Sequence, residues 1–239
     1  MQSLWTNYSH PKIIFLTEEI MNKISIIITN YNRVNFVDRA IRSCQDQSLR
    51  PDYTVEIIVV DDGSTDNSLK LLRMFGESIV LVNHKSNLGV ASASNSGLKK
   101  ASGDYIMRLD ADDFLNKYSL LMLSSILEEN EDFGYVYSDH FKVDERGFKI
   151  EKQKLNNMEM LFNHGAGVMF RKEVVQKVGL YDESLKNCED YDFLIRVAKN
   201  YKGYYLPIPL YRYNIHGNNL SMRQDREQFK NKVRKKHGI

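Results

Sequence analysis

Short apolar runs alternate along this chain with stretches in which apolar residues recur every three or four positions. Ile24–Thr29 is a β-branched run of strand length, and Phe36, Val37, Ala40, Ile41 and Cys44 follow at helical spacing, up to a stop near Pro51. Val55–Val60 predicts a second strand that halts at Asp61-Asp62-Gly63-Ser64. Leu69, Leu71, Leu72 and Phe75 predict a helix that Ser64 or Asp66 can cap. Ile79–Val82 reads as strand, Val90–Ala101 as helix, and Tyr105–Leu109 as a strand that stops at Asp110-Ala111-Asp112-Asp113. This alternation implies an α/β chain with a mostly parallel central sheet and helices on both faces. Ligands of such sheets sit beyond the carboxyl ends of the strands. Three polar clusters fall at those ends: Thr29-Asn30-Tyr31-Asn32, Asp61-Asp62-Gly63-Ser64 and Asp110 to Asp113.

The second half is less regular. Tyr135–Ser138 and Phe141–Val143 read as two short strands, with a turn at Glu145-Arg146-Gly147. Val168–Phe170 predicts a strand and Lys172–Val178 a short helix. Phe193, Leu194, Val197, Ala198 and Tyr201 mark another helix, running to about Asn200, and Tyr204–Leu206 with Leu210–Tyr213 close the sheet.

A length of 239 residues suits one α/β domain, and no break separates two domains between Ile24 and Tyr213. Hydrophobic residues at 42% and charged residues at 27% argue against a disordered chain. Lys and Arg outnumber Asp and Glu by only two, so no bulk charge points to nucleic acid as a partner. Two cysteines, Cys44 and Cys188, make neither a disulfide framework nor a zinc site. No apolar run approaches the ~18 residues that cross a bilayer. Ile13–Leu16 is followed at once by Glu18 and Glu19, unlike a secretory leader, so a cytoplasmic protein is expected. Residues 1–21 lack periodicity and are expected to be a dispensable extension, leaving 22–221 as the catalytic domain. Residues 222–239 form a basic tail with seven basic side chains against two acids. That tail could touch anionic lipid at the inner membrane face. Its apolar stripe of Met222, Phe229 and Val233 is thin, so a solvated terminal helix is the favoured reading.

Asp110 and Asp112, two residues apart after a strand, are the carboxylate pattern that suits a hard divalent ion beside substrate phosphates; an acidic turn is the plainer alternative. Asp61 and Asp62 end a strand where a carboxylate can accept from a base or a sugar. No P-loop exists, and no G-x-G-x-x-G follows a strand, which disfavours nucleotide kinases and nicotinamide dehydrogenases. Glu189-Asp190-Tyr191-Asp192 opens a helix, where acids suit the dipole and where one of them can act as a general base. Cys188 reads as a small buried residue. His216 follows a strand and can serve as a ligand, whereas His84, His140 and His164 read as structural or surface residues, and His10 and His237 fall in the tails.

Taken in order, these motifs resemble the family 2 glycosyltransferases. Ser25 to Arg33 and Ile58 to Asp66 are similar to the family's first two strand–loop motifs. Asn87-Leu88-Gly89 through Asn95 and Gly97, then Ala101 to Ile106, resemble its next helix and strand, and Leu109-Asp110-Ala111-Asp112-Asp113 its metal motif. Phe170-Arg171 and Gly179 to Glu183 resemble the segment before the catalytic Glu189-Asp190; Tyr211-Arg212 with His216 and Ser221 resembles the closing motif. Asn30 stands where proline or serine is common. The resemblance implies a single Rossmann-like domain of the glycosyltransferase A type, spanning about residues 22–221. It implies a nucleotide-sugar donor, a UDP-sugar foremost, and inverting transfer to a carbohydrate or lipid-linked acceptor in bacterial surface polysaccharide or glycolipid synthesis. By the same resemblance Thr29, Tyr31 and Asp62 hold the base, and Asp110 reaches the ribose or sugar. Asp112 with His216 holds a divalent metal, Mg or Mn, and Asp190 is the general base. The rival readings are a nucleotidyltransferase and a non-catalytic nucleotide-sugar-binding homologue.

Overall fold

The computed structural model describes residues 21–165, 167–217, 219 and 226–239. The expected extension lies outside these residues except for Met21, as do Ser221 and the first part of the basic tail. Four strands run parallel at one end of a nine-stranded sheet: β1 (Asn22–Asn30), β2 (Tyr53–Asp61), β3 (Val80–Asn83) and β4 (Tyr105–Asp110), in the spatial order β3-β2-β1-β4. The sheet continues through β8 (Met169–Arg171), β6 (Phe133–Val143) and β9 (Lys202–Asn214) to β5 (Phe114–Leu115), and β7 (Lys149–Gln153) pairs with β6. Only β8, β5 and β7 run against their neighbours.

The pleat of β1 divides the core. Ile24, Ile26 and Ile28 face α1 (Val37–Gln45), α2 (Ser68–Arg73) and α4 (Ser119–Glu129), joining Ala40, Ile41, Leu72, Leu120, Leu123 and Leu127. Ile27 faces α3 (Val90–Lys100), with Ala91 and Ala93 in the same cluster as Val174 of α6 (Lys172–Val178) and Phe193, Leu194 and Val197 of α7 (Glu189–Ala198). Fully burying one such aliphatic side chain contributes roughly 1.5–3 kcal/mol, so apolar residues on both sides hold β1 at the centre. A Cβ at Gly97 would collide with the Ile27 side chain; the bare backbone lets α3 lie close on the sheet.

Several expected elements differ. The two short strands over 135–143 are one strand, β6, and the two over 204–213 are one strand, β9, kept continuous past Pro207 and Pro209 by register shifts near Asp139. Neither Ser64 nor Asp66 is the cap residue of α2. Asn67 takes that place, Asp66 Oδ1 accepts from the Ser68 amide at 2.8 Å, and Ser64 is drawn away to Asp61 at 2.6 Å. Over its described part the basic tail is the expected terminal helix, solvated on one face and docked by the other. The last helix, α8 (Arg226–His237), packs Val233, wholly buried, and Phe229 against Leu185, Cys188, Tyr191 and Ile195. α7 therefore presents apolar residues to two partners, the sheet and α8. No helix among the described residues is long and apolar enough to cross a membrane.

Candidate active site

Strand register assembles the site. Thr29 pairs with Asp110 and Asn30 with Asp61, so β1, β2 and β4 end level, and the segments leaving them open one cleft of about 410 Å³. Thr29, Tyr31, Asp62, Asp110, Asp112 and Asp190 all line it. Of the site residues expected from the sequence, His216 alone is not on the lining, and it reaches the site through Asp112.

At the β1–β2 end, Tyr31 is 41% exposed and offers an open ring face. Asp62 is buried and already engaged. Its Oδ1 accepts from His84 Nδ1 at 2.7 Å and the Leu88 amide at 2.9 Å, and its Oδ2 from the Gly89 amide at 2.8 Å. A carboxylate has about four acceptor positions, so one remains for a ligand. His84, with Ser96 Oγ on its other nitrogen at 2.9 Å, is structural as expected. Asn30, on the cleft lining, is buried and its side-chain amide donates to Asp61 Oδ1 at 2.7 Å, which ties the end of β1 to the end of β2.

At the end of β4 the carboxylates separate in role. Asp110 Oδ1 accepts from Arg108 at 2.7 Å and faces Thr29 Oγ1 at 3.4 Å. Burial pushes the Asp110 carboxyl up, Arg108 opposes the shift, and the nearby Asp112 and Asp190 add to it. Asp113 is wholly inside, accepting from the Tyr211 hydroxyl at 2.7 Å and the Asn214 amide at 2.8 Å, so it ties the motif to β9. The pairing of β5 with β9 explains how His216 meets Asp112 across 104 residues: Nε2 stands 2.8 Å from Asp112 Oδ2, with the Phe36 ring stacked on the imidazole at 5.2 Å.

The Asp112–His216 pair can be tested as a metal site. Adjacent ligands of an octahedral ion with bonds near 2.1 Å stand about 3 Å apart, and a carboxylate oxygen beside an imidazole nitrogen at 2.8 Å fits that spacing. Among the described residues no group of three or more His, Cys, Asp or Glu side chains is placed to hold a metal. These two residues therefore fit an ion whose remaining ligands come from substrate and water. Arg33 Nε, 3.0 Å from the same Asp112 oxygen, would have to turn aside.

The acidic start of α7 follows Cys188, whose backbone is left-handed at φ 62° and whose amide is held by Asn187 Oδ1 at 2.8 Å. That turn delivers Glu189 and Asp190 to the cleft together. Asp190 is half-buried, and its Oδ1 accepts from the Tyr191 amide at 2.8 Å. Gly165, at φ 52°, passes so close that a Cβ there would strike the Asp190 carboxylate. Glu189 is buried, and burial together with Asp190 pushes its carboxyl up to about 7, against the pull of Arg108. Asp192, an acid that suits the helix dipole, is fully buried. It is clamped by Arg196 at 2.8 Å, Lys236 at 2.8 Å and His237 at 2.9 Å, the last two from α8. His237 is thus part of the fold. Cys188 is buried, as expected.

The cleft also contains residues to which the sequence reading gives no part in the site: Arg108, Asn163, Lys186, Asn187 and Arg226, with His164, which that reading takes as structural or surface. Arg108 had a signal, since it lies two residues before Asp110 on one strand and shares its face. The others come from three separate segments with no common spacing.

The α/β sheet is that of the glycosyltransferase A-type fold, which its solved structural neighbours share. A sequence profile described as Glycosyl transferase family 2 matches residues 25–179, and the chain belongs to that family; it is a transferase enzyme. An uncharacterized glycosyltransferase, YwdF of Bacillus subtilis (strain 168), is 28% identical over 91% of this chain and 85% of its own length. A hyaluronan synthase of Pasteurella multocida is 27% identical over 94% of this chain, which spans only 24% of that longer protein. Among solved structures, S. aureus TarS 1-349 in complex with UDP-GlcNAc superposes with a TM-score of 0.74 at 19% identity, covering 88% of this chain and 65% of that one. The mannosyltransferase PcManGT from Pyrobaculum calidifontis, in complex with GDP-Man and Mn2+, gives 0.67 at 18% identity, covering 83% and 59%.

Proposed function

We propose that this enzyme moves a sugar from a nucleotide-diphosphate sugar, a UDP-sugar foremost, onto a hydroxyl of a carbohydrate or lipid-linked acceptor, inverting the anomeric centre. The observation that carries the reading is one cleft lined at once by Tyr31 and Asp62, by Asp110 and Asp112, and by Asp190. The ring of Tyr31 stacks on the base, with Thr29 beside it, and the remaining acceptor position of Asp62 takes a base N–H. Asp110 bonds the ribose or sugar hydroxyls. The Asp190 carboxylate takes the proton from the acceptor hydroxyl as its oxygen attacks the anomeric carbon, and the nucleoside diphosphate leaves. Asp112 and His216 would hold a divalent ion, Mg or Mn, which when bound neutralises charge developing on the leaving diphosphate. The UDP-GlcNAc and the GDP-Man with Mn2+ bound by the two fold neighbours support the donor class and the metal. The relative described as a hyaluronan synthase supports a setting in bacterial surface polysaccharide or glycolipid synthesis. Any contact of 222–239 with the inner membrane face would be electrostatic and lost in salt, because Phe229 and Val233 are turned inward.

The test replaces the base. Asp190→Asn keeps the shape and removes the charge and the basic lone pair, so turnover, followed as nucleoside diphosphate released with acceptor present, should fall by ~10²–10⁴ while donor affinity changes little. Glu189→Gln should be milder. Near-normal turnover in Asp190→Asn, or a greater loss in Glu189→Gln, overturns the assignment.

A further inference from the structure

Four cations line the cleft. Arg33 pairs with Asp112 and Arg108 with Asp110. Arg226 and Lys186 have no carboxylate partner among the described residues. Arg226, the first residue of α8, donates to the Asn163 carbonyl at 2.6 Å and has further guanidinium donors to spare. Lys186 is exposed, on the loop before α7. Two amides on the same wall carry unused polar atoms. Asn187 is only 9% exposed, and among the described residues its Nδ2 has no hydrogen-bond partner; the Oδ1 of Asn163, at the end of α5 (Met158–His164), is likewise buried without one. Buried polar groups in folded proteins are nearly always paired, so this donor and this acceptor, on residues that line the cleft, are groups that a bound ligand or an ordered water would satisfy. This wall is also electropositive. The His164 ring is held neutral, down to about 4, by burial first and then by Arg226 and Lys142, with Lys230 adding and Asp190 opposing.

We propose that this wall, formed by Asn163, Lys186, Asn187 and Arg226, binds an acceptor sugar that carries a phosphate. The inference rests on the transferase reading given above and names the acceptor class for that same site. The two amides bond the sugar hydroxyls. The guanidinium and the ammonium converge on the anion, and two cations match a phosphate of charge near −2 better than a single carboxylate. The donor's diphosphate belongs to Asp112 and His216 at the end of β4, so a second anion-binding wall beside the base serves the other substrate.

Calorimetry of the full chain, first with UDP and Mn2+ and then at saturating UDP, separates the two readings. Failure of the wild type to bind UDP strikes the UDP-sugar donor reading. With UDP bound, the titrants are a panel of hexose and N-acetylhexosamine 1-phosphates, the matching uncharged methyl glycosides, and the matching uronates. At least one sugar phosphate should bind 10-fold or more tighter than its uncharged and carboxylate counterparts. Arg226→Gln and Lys186→Gln should each lower that affinity by about 10-fold, in line with a charge-assisted hydrogen bond, and leave UDP binding unchanged. Lys186, exposed and without a hydrogen bond, serves as the substitution that leaves folding intact. Equal binding of charged and uncharged sugars, a preference for uronates, or undiminished binding in both variants overturns the proposal while the donor reading stands.

Discussion

Within the Asp110-Ala111-Asp112-Asp113 run, three neighbouring carboxylates have three different surroundings, and substitution should separate them. Asp113→Ala removes the acceptor of the Tyr211 hydroxyl and the Asn214 amide, leaving both buried donors unpaired. The expected cost is about 1–3 kcal/mol of stability, seen as a lower urea midpoint with donor affinity retained in the folded fraction. Asp112→Ala should do the reverse, weakening metal-dependent donor binding with little loss of stability. Sequence alone ranks Asp113 below Asp112; that its role is to tie the motif to β9 shows only when the partner strand is in place. Glu189 supplies a pH signature. Its carboxyl stands near 7 against an ordinary 4.5, so the folded state retains a proton that the unfolded chain releases between those values. The resulting stabilisation is complete below about pH 4.5 and lost as pH rises through 7. Urea midpoints should therefore fall between pH 5 and 7.5, and Glu189→Gln, which mimics the protonated acid, should flatten that slope. An unchanged slope in Glu189→Gln would place the titration elsewhere.

β1, β2 and β4 were legible as unbroken apolar runs because both of their faces are buried, and α1 and α3 as apolar stripes at helical spacing because each lays one face on the sheet. Leu120, Leu123 and Leu127 of α4 also recur at helical spacing, although α4 is not among the expected elements. The docking of α8 was less legible. Phe229 and Val233 sit four apart, as do Tyr191 and Ile195 on the second face of α7, yet neither pair names the other. Strong basicity in the last turn of α8 suits the helix dipole and hides its real partners, the buried Asp192 and the Asp182 carboxylate 2.7 Å from Lys236. Val233→Asp places a charge in this apolar contact. It should lower Tm by roughly 5–10 °C, consistent with ~3 kcal/mol in a chain of this size, and reduce turnover because α7 carries the proposed base. Wild-type Tm and activity in that variant would mean that α8 is dispensable to the site.

The whole molecule brings residues from positions 29 to 226 around one cleft, and the proposed divalent ion would link the chemistry of those at the end of β4. Chelation should abolish nucleoside diphosphate release and added Mn2+ or Mg2+ should restore it; chelator-insensitive transfer would contradict the role given to Asp112 and His216. The family, the parallel sheet and the carboxylates at its strand ends were determined by sequence alone. Each is a local consequence: an apolar period makes a strand, and polar residues must end it where the backbone leaves the sheet. What tertiary structure decided is every feature that depends on distant segments meeting. His216 closes on Asp112, Asp62 is spent largely on His84 and the loop before α3, Asp192 is buried under α8, and Asn163, Lys186, Asn187 and Arg226 share a wall. No spacing in the chain encodes those meetings, because they are set by which faces pack together, and packing is a property of pairs of elements rather than of either one.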